Sequence, residues 1–98
     1  MQINIINQYT DDHIPCVDFT YGNIEYNLLW TDAKIIGMLE CIADGDIDIS
    51  VLTKKFPELY NIIIDPESAV NEDVDKDDPN RVTVYINAGC LTFVRPVK

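Results

Sequence analysis

The chain is short of positive charge, of histidine and of glycine, and each shortage removes a class of function. Seven Lys and Arg stand against seventeen Asp and Glu, for a formal net charge of −10. Binding to DNA or RNA draws on Lys and Arg to neutralise phosphates, so this balance argues against direct nucleic-acid contact. An anionic membrane surface repels such a chain for the same reason. The four glycines form no phosphate-cradling loop. The one histidine, His13, precedes Cys16 by three residues. In an extended strand, side chains three apart point to opposite faces, so these two do not make a Cys–His nucleophile.

The three cysteines, Cys16, Cys41 and Cys90, show no CxxC spacing, and an odd number is no disulfide framework. Each lies in an apolar stretch and reads as a small buried hydrophobe, reduced in a cytoplasmic protein. A zinc site would need every cysteine and the one histidine to converge. The opening MQINIINQY has no charged n-region, so no signal peptide is expected. No run approaches the roughly 18 apolar residues of a membrane span. Neither a cofactor nor a catalytic motif is legible, and the expectation is a protein that is not an enzyme.

What is present suffices for a core. Residues 1–98 read as a single globular domain, since 98 residues with 47% hydrophobic content bury roughly 60–68% of the unfolded surface. Ile3, Ile5 and Ile6 suggest a short first strand, and Gln8 to His13 read as a polar turn. The next run alternates, with Val17, Phe19 and Tyr21 on one side and Cys16, Asp18 and Thr20 on the other. Pro15 marks the start of that strand or an edge. Gly22-Asn23 turns it into a second alternating run through Ile24, Tyr26, Leu28 and Trp30, a β-hairpin.

Thr31 or Asp32 offers an N-cap for a helix over 33–43, with Ile35, Leu39 and Ile42 at helical spacing. Gly45 suits a left-handed cap after it. Asp48 or Ser50 caps a shorter helix carrying Val51, Leu52 and Phe56. Pro57 suits the first position of a further helical turn, Glu58 to Ile63, with a strand at Asn61–Ile64 as the alternative. A second hairpin follows: Val82, Val84 and Ile86, a turn at Asn87-Ala88-Gly89 with Gly89 at the positive-φ position, then Leu91 and Phe93. The expected fold class is α+β: an antiparallel sheet built from two hairpins, with two or three helices inserted between them and packed on one face.

Between the last helix and the second hairpin, at about 65–80, lies an internal acidic loop. Asp65 to Asp78 hold seven carboxylates and one base, Lys76. Asp65, Glu67, Glu72, Asp73, Asp75, Asp77 and Asp78 are the first candidates for binding a partner. Asp44, Asp46 and Asp48 form a second group at another helix boundary, able to join the same field. Both Asp-x-Asp-x-Asp runs resemble the start of a calcium loop, which needs Gly at its sixth position and Glu at its twelfth. From Asp73 those positions hold Asp78 and Val84, and from Asp44 they hold Ile49 and Lys55. No specific metal site is expected. Like-charge runs are usually solvated surface. Concentrated repulsion inside a small domain destabilises it, however, and a negative surface speeds encounter with a basic protein. Trp30, Tyr21 and Tyr26 read as core residues, or else as aromatic anchors of an interface.

In size, charge, lack of catalytic signatures and acidic segments such as EDVDKDD beside hairpin strands, the chain resembles the small acidic immunity proteins that bacteria make against their own nuclease toxins, including those of contact-dependent growth inhibition. The resemblance covers the character of the whole chain and rests on no diagnostic motif. It implies an inhibitor that forms a one-to-one complex with a basic toxin domain. The alternatives are a phage-encoded nucleic-acid mimic that inhibits a restriction or CRISPR effector, and a small metal-binding or enzymatic domain.

Overall fold

The computed structural model describes residues 2–31, 34–68, 72–86 and 89–94. The order is β1 (Ile3–Asp11), β2 (Ile14–Tyr21), β3 (Ile24–Trp30), α1 (Lys34–Ala43), a 3-10 turn (Ile49–Val51), α2 (Leu52–Lys55), α3 (Pro57–Ile64), a second 3-10 turn (Pro66–Ser68), β4 (Glu72–Val74), β5 (Arg81–Ile86) and β6 (Gly89–Val94). The strands form one antiparallel sheet in the order β1-β2-β3-β6-β5-β4. The fold is α+β, with helices against one sheet face, as the alternation and the helical spacing imply. Each hairpin carries an added outer strand, β1 on the first and β4 on the second.

Two sequence expectations are corrected by those outer strands. Gln8 to Asp11 are strand, and only Asp12 and His13 turn, with φ of 51° and 68°. Both are among the non-glycine residues that tolerate this region, so a two-residue turn closes the Asp11↔Ile14 pair without glycine. The acidic segment is likewise not one loop. Val74 pairs with Val82 and Glu72 with Val84, so backbone pairing draws 72–74 into the sheet edge despite its charge.

The helix readings hold. Ile35, Leu39 and Ile42 are the buried stripe of α1. Gly45 adopts φ +84°, its N–H meets the Ile42 carbonyl at 3.1 Å, and Asp46 N–H meets the Cys41 carbonyl at 3.0 Å. That paired 6→1 and 5→2 pattern is the Schellman stop. The Asp48 carboxylate accepts from Ser50 N–H at 3.1 Å; hydrogen bonding from the Ser50 hydroxyl first, and from that N–H second, holds its pKa below the ordinary carboxylate value. Pro57 opens α3, and 61–64 is helix rather than strand. The expected cap of α1 falls partly on Asp32, which lies outside the described residues, as do Asn87 and Ala88 of the second hairpin's turn.

Gly37 sits mid-helix on the exposed side of α1, and a β-carbon added there would have nothing within 4 Å. No contact requires the glycine. Gly37→Ala is expected to stabilise the fold by about 1 kcal/mol, seen as a raised urea midpoint at constant slope.

The core joins both strand sets to the helices. Phe19 stacks on Tyr26 and Tyr26 meets Phe93 at a tilt across three strands, with ring centroids 5.2 and 5.3 Å apart. Tyr26 Oη donates to the Ile63 carbonyl at 3.2 Å, tying β3 to the end of α3. Burial pushes the Tyr26 phenol well above its ordinary value, with the neighbouring Tyr21 adding to the shift. The neutral form is the folded form. Its contribution is therefore complete below the unfolded tyrosine value of 10.0 and declines as pH rises beyond it toward the folded value. Alkaline denaturation from about pH 10 is expected, and Tyr26→Phe should shallow that alkaline limb in urea titrations.

Candidate functional site

The strand registers fix two ends of the sheet. One end carries Ile3, the Gly22-Asn23 turn, Phe93, Val82 and Val74. The other carries the Asp12-His13 turn, Trp30, Gly89 and Ile86. Helix α1 leaves the Trp30 end and finishes at Gln2, whose side chain donates to the Ala43 carbonyl at 2.9 Å. Helix α3 runs the same way, since Trp30 packs edge-on against Phe56 at 5.6 Å and Ile63 meets Tyr26.

Eight of the ten acids singled out in the sequence therefore gather near one end, at its rim; Glu72 and Asp73 lie further up β4. Asp44, Asp46 and Asp48 follow the C-terminus of α1, and Asp46 and Asp48 line a recess with Gln2, Ile3 and Tyr21. Asp65 caps the C-terminus of α3, its N–H meeting the Asn61 carbonyl at 3.0 Å, and Glu67 lies in the 3-10 turn after it. Asp73 stands in β4. Asp75, Asp77 and Asp78 form the β4–β5 turn. There the Asp75 carboxylate accepts from Asp77 N–H at 2.8 Å and the Asp78 carboxylate from Asn80 N–H at 3.0 Å. Glu72 pairs with Val84 through the backbone.

The two acid groups share the rim but not a point on it. Six strands at about 4.8 Å spacing put β1 and β4 roughly 24 Å apart. With a screening length of about 8 Å in physiological salt, the outermost members do not reinforce one another. The expectation of a single joined field is corrected to an extended acidic rim. A helix C-terminus carries the negative end of the backbone dipole, so the acids following α1 and α3 sit where they destabilise the helix and add to the field.

The sheet face away from the helices is a second feature that sequence reasoning left unassigned. Asn7, Asp18, Asn27, Thr92, Thr83 and Asp73 pair successively, one from each strand, in a polar row. Asn27 Nδ2 donates to Asp18 Oδ1 at 2.6 Å and to Tyr9 Oη at 2.7 Å, and the hydroxyls of Thr83 and Thr92 are 3.0 Å apart. A neighbouring row runs Tyr9, Cys16, Leu29, Cys90 and Tyr85. An open recess of about 700 Å³ crosses this face, with Tyr9, Asp18, Glu25, Asn27, Arg81 and Thr92 in its lining.

The core reading of the first hairpin's aromatics holds, with Tyr21 half-buried against the core, and the anchor alternative falls. Trp30 and Tyr26 are core, at 4% and 0% exposure, whereas Tyr9 and Tyr85 stand out at 41% and 62%. Alternation shows two faces but not which one the helices cover. Cys16 is buried, its thiol 3.4 Å from the Ile14 carbonyl, and burial pushes its pKa up, away from the thiolate a nucleophile needs. His13 is exposed in its turn. Among the described residues, no three of His, Cys, Asp and Glu come together as metal ligands. No described helix is long and apolar enough to cross a membrane. Comparison with family models, curated proteins and solved structures finds no match.

Proposed function

We propose that this chain is an inhibitory binding protein that neutralises a basic protein, in the manner of an immunity protein against a nuclease toxin, acting in the cytoplasm. What carries the reading is the gathering of eight carboxylates at one rim, including acids placed after the C-termini of α1 and α3. Stability alone disfavours that placement. A rim of carboxylates complements a cleft that itself binds phosphate, because carboxylates then occupy the positions of the phosphates. The buried Cys16 thiol and the exposed, separate His13 support a binding role over a thiol-based enzyme.

The test is capture of partners on the immobilised chain from its host lysate at low and moderate salt. The expected result is one basic protein in one-to-one amount, with a nucleic-acid-cleaving activity that the pure chain abolishes. Capture of a restriction or CRISPR effector would instead identify a nucleic-acid mimic. If no basic protein is retained even at low salt, the proposal fails.

A further inference from the structure

The two edges of the sheet are built differently. Edge strand β4 has three residues, of which Glu72 and Asp73 are acidic, with Asp75 next. Shortness and charge are the means by which proteins keep an edge from pairing with other chains. Edge strand β1 has nine residues, and from Ile3 to Thr10 none is charged and none is proline. Among the described residues only β2 pairs with it. Its one protective feature is the bulge between Ile5 and Asn7, which leaves Ile6 outward at 54% exposure. Beyond the bulge, Asn7 to Asp11 run in regular register against β2 and leave an open outer ladder.

Acids stand at both ends of this edge. Asp11 and Asp12 lie at the turn, and Asp44, Asp46 and Asp48 lie past the end of α1, where Asp46 and Asp48 line a recess with Ile3. Glu40 sits between them, its carboxylate accepting from Gln8 Nε2 at 3.1 Å.

We propose that β1 accepts an extended segment of a basic partner as a seventh strand. That segment is uncharged along its middle, where it meets the open ladder and Ile6, and carries Lys or Arg toward its ends. A second copy of this chain fits poorly, since antiparallel β1–β1 pairing sets Asp11 and Asp12 of each copy beside Asp44, Asp46 and Asp48 of the other. This inference rests on the proposed basic partner and names the edge it takes. Backbone pairing supplies affinity, and the flanking acids choose the strand by charge.

The probe is a synthetic peptide of the length of β1, alternating valine and threonine, with lysines at both ends. It is followed by amide NMR shifts and hydrogen exchange of the full chain. Amides of Asn7 to Asp11 should shift and exchange at least about tenfold more slowly, while β4 is unmoved. A peptide with alternate backbone amides N-methylated, one with glutamates at its ends, and the Ile6→Lys variant should each bind at least about tenfold more weakly. Binding that survives N-methylation, or that shifts only the acidic rim, overturns strand addition while leaving the basic-partner reading intact. So does capture of a basic protein undiminished by Ile6→Lys. Self-association through β1, seen as a concentration-dependent mass, overturns the choice of occupant.

Discussion

Gly89→Ala is expected to cost about 3 kcal/mol or more, the upper range for forcing atoms into a packed site and a large share of the roughly 5–15 kcal/mol by which a domain is ordinarily stable. A β-carbon on Gly89 would lie 1.9 Å from the Leu29 carbonyl oxygen, 2.9 Å from its carbon and 3.0 Å from Trp30 Cα. All three are backbone atoms of β3, so no side-chain rotation relieves the clash. Gly89 opens β6, opposite Trp30, and the β3–β6 ladder from Tyr26↔Phe93 to Trp30↔Gly89 is what joins the two strand sets. Moving the backbones apart there weakens the pairing on which the rest of the sheet depends. Urea unfolding of the variant beside Gly37→Ala checks the argument, because the same added methyl should stabilise at Gly37. A loss under about 1 kcal/mol at Gly89 would mean that the two strands do not approach this closely.

The reasons for these outcomes differ in how far they are legible in the sequence. Local patterns are legible: the alternation through Phe19 and Tyr26 on either side of Gly22, the Ile35–Leu39–Ile42 stripe, and the stop at Gly45. Each depends on residues a few positions apart. Gly89 is different. The sequence suggests a turn glycine of positive φ, yet in the fold it is an ordinary strand residue kept small by the backbone of a strand sixty residues earlier in the chain. Strand β4 escapes notice because Glu72 and Asp73 are poor strand formers, and only pairing with β5 holds them there. The candidate site shows the same division. Composition reveals the acids of 44–48 and 65–78, but their meeting at one rim follows from α1 and α3 running in the same direction over a sheet whose halves join at β3 and β6. The exposure of Tyr9 and Tyr85 follows from which face the helices cover, and no local pattern encodes that choice.

The rim makes a kinetic prediction that separates function from solvated surface. Changing Asp73, Asp75, Asp77 and Asp78 together to Asn removes four of the chain's seventeen acids and should leave the fold intact. Asn rather than Ala is the informative replacement. The Asp75 and Asp78 side chains accept the Asp77 and Asn80 N–H groups that shape the β4–β5 turn, and an amide oxygen keeps both bonds. What changes is the field. Electrostatic steering raises association rates by about ten- to thousandfold, and the gain falls steeply with ionic strength. The variant should therefore bind its captured basic partner far more slowly at low salt, with a smaller difference at moderate salt and little change in dissociation. Stopped-flow mixing at two ionic strengths measures this directly. Equal association rates and an unchanged salt dependence would show that this end of the rim is only solvated surface. Asp44, Asp46 and Asp48, roughly 24 Å away across the sheet, would then be the group to change next, and a partner lying along β1 would be steered by them rather than by the β4 side.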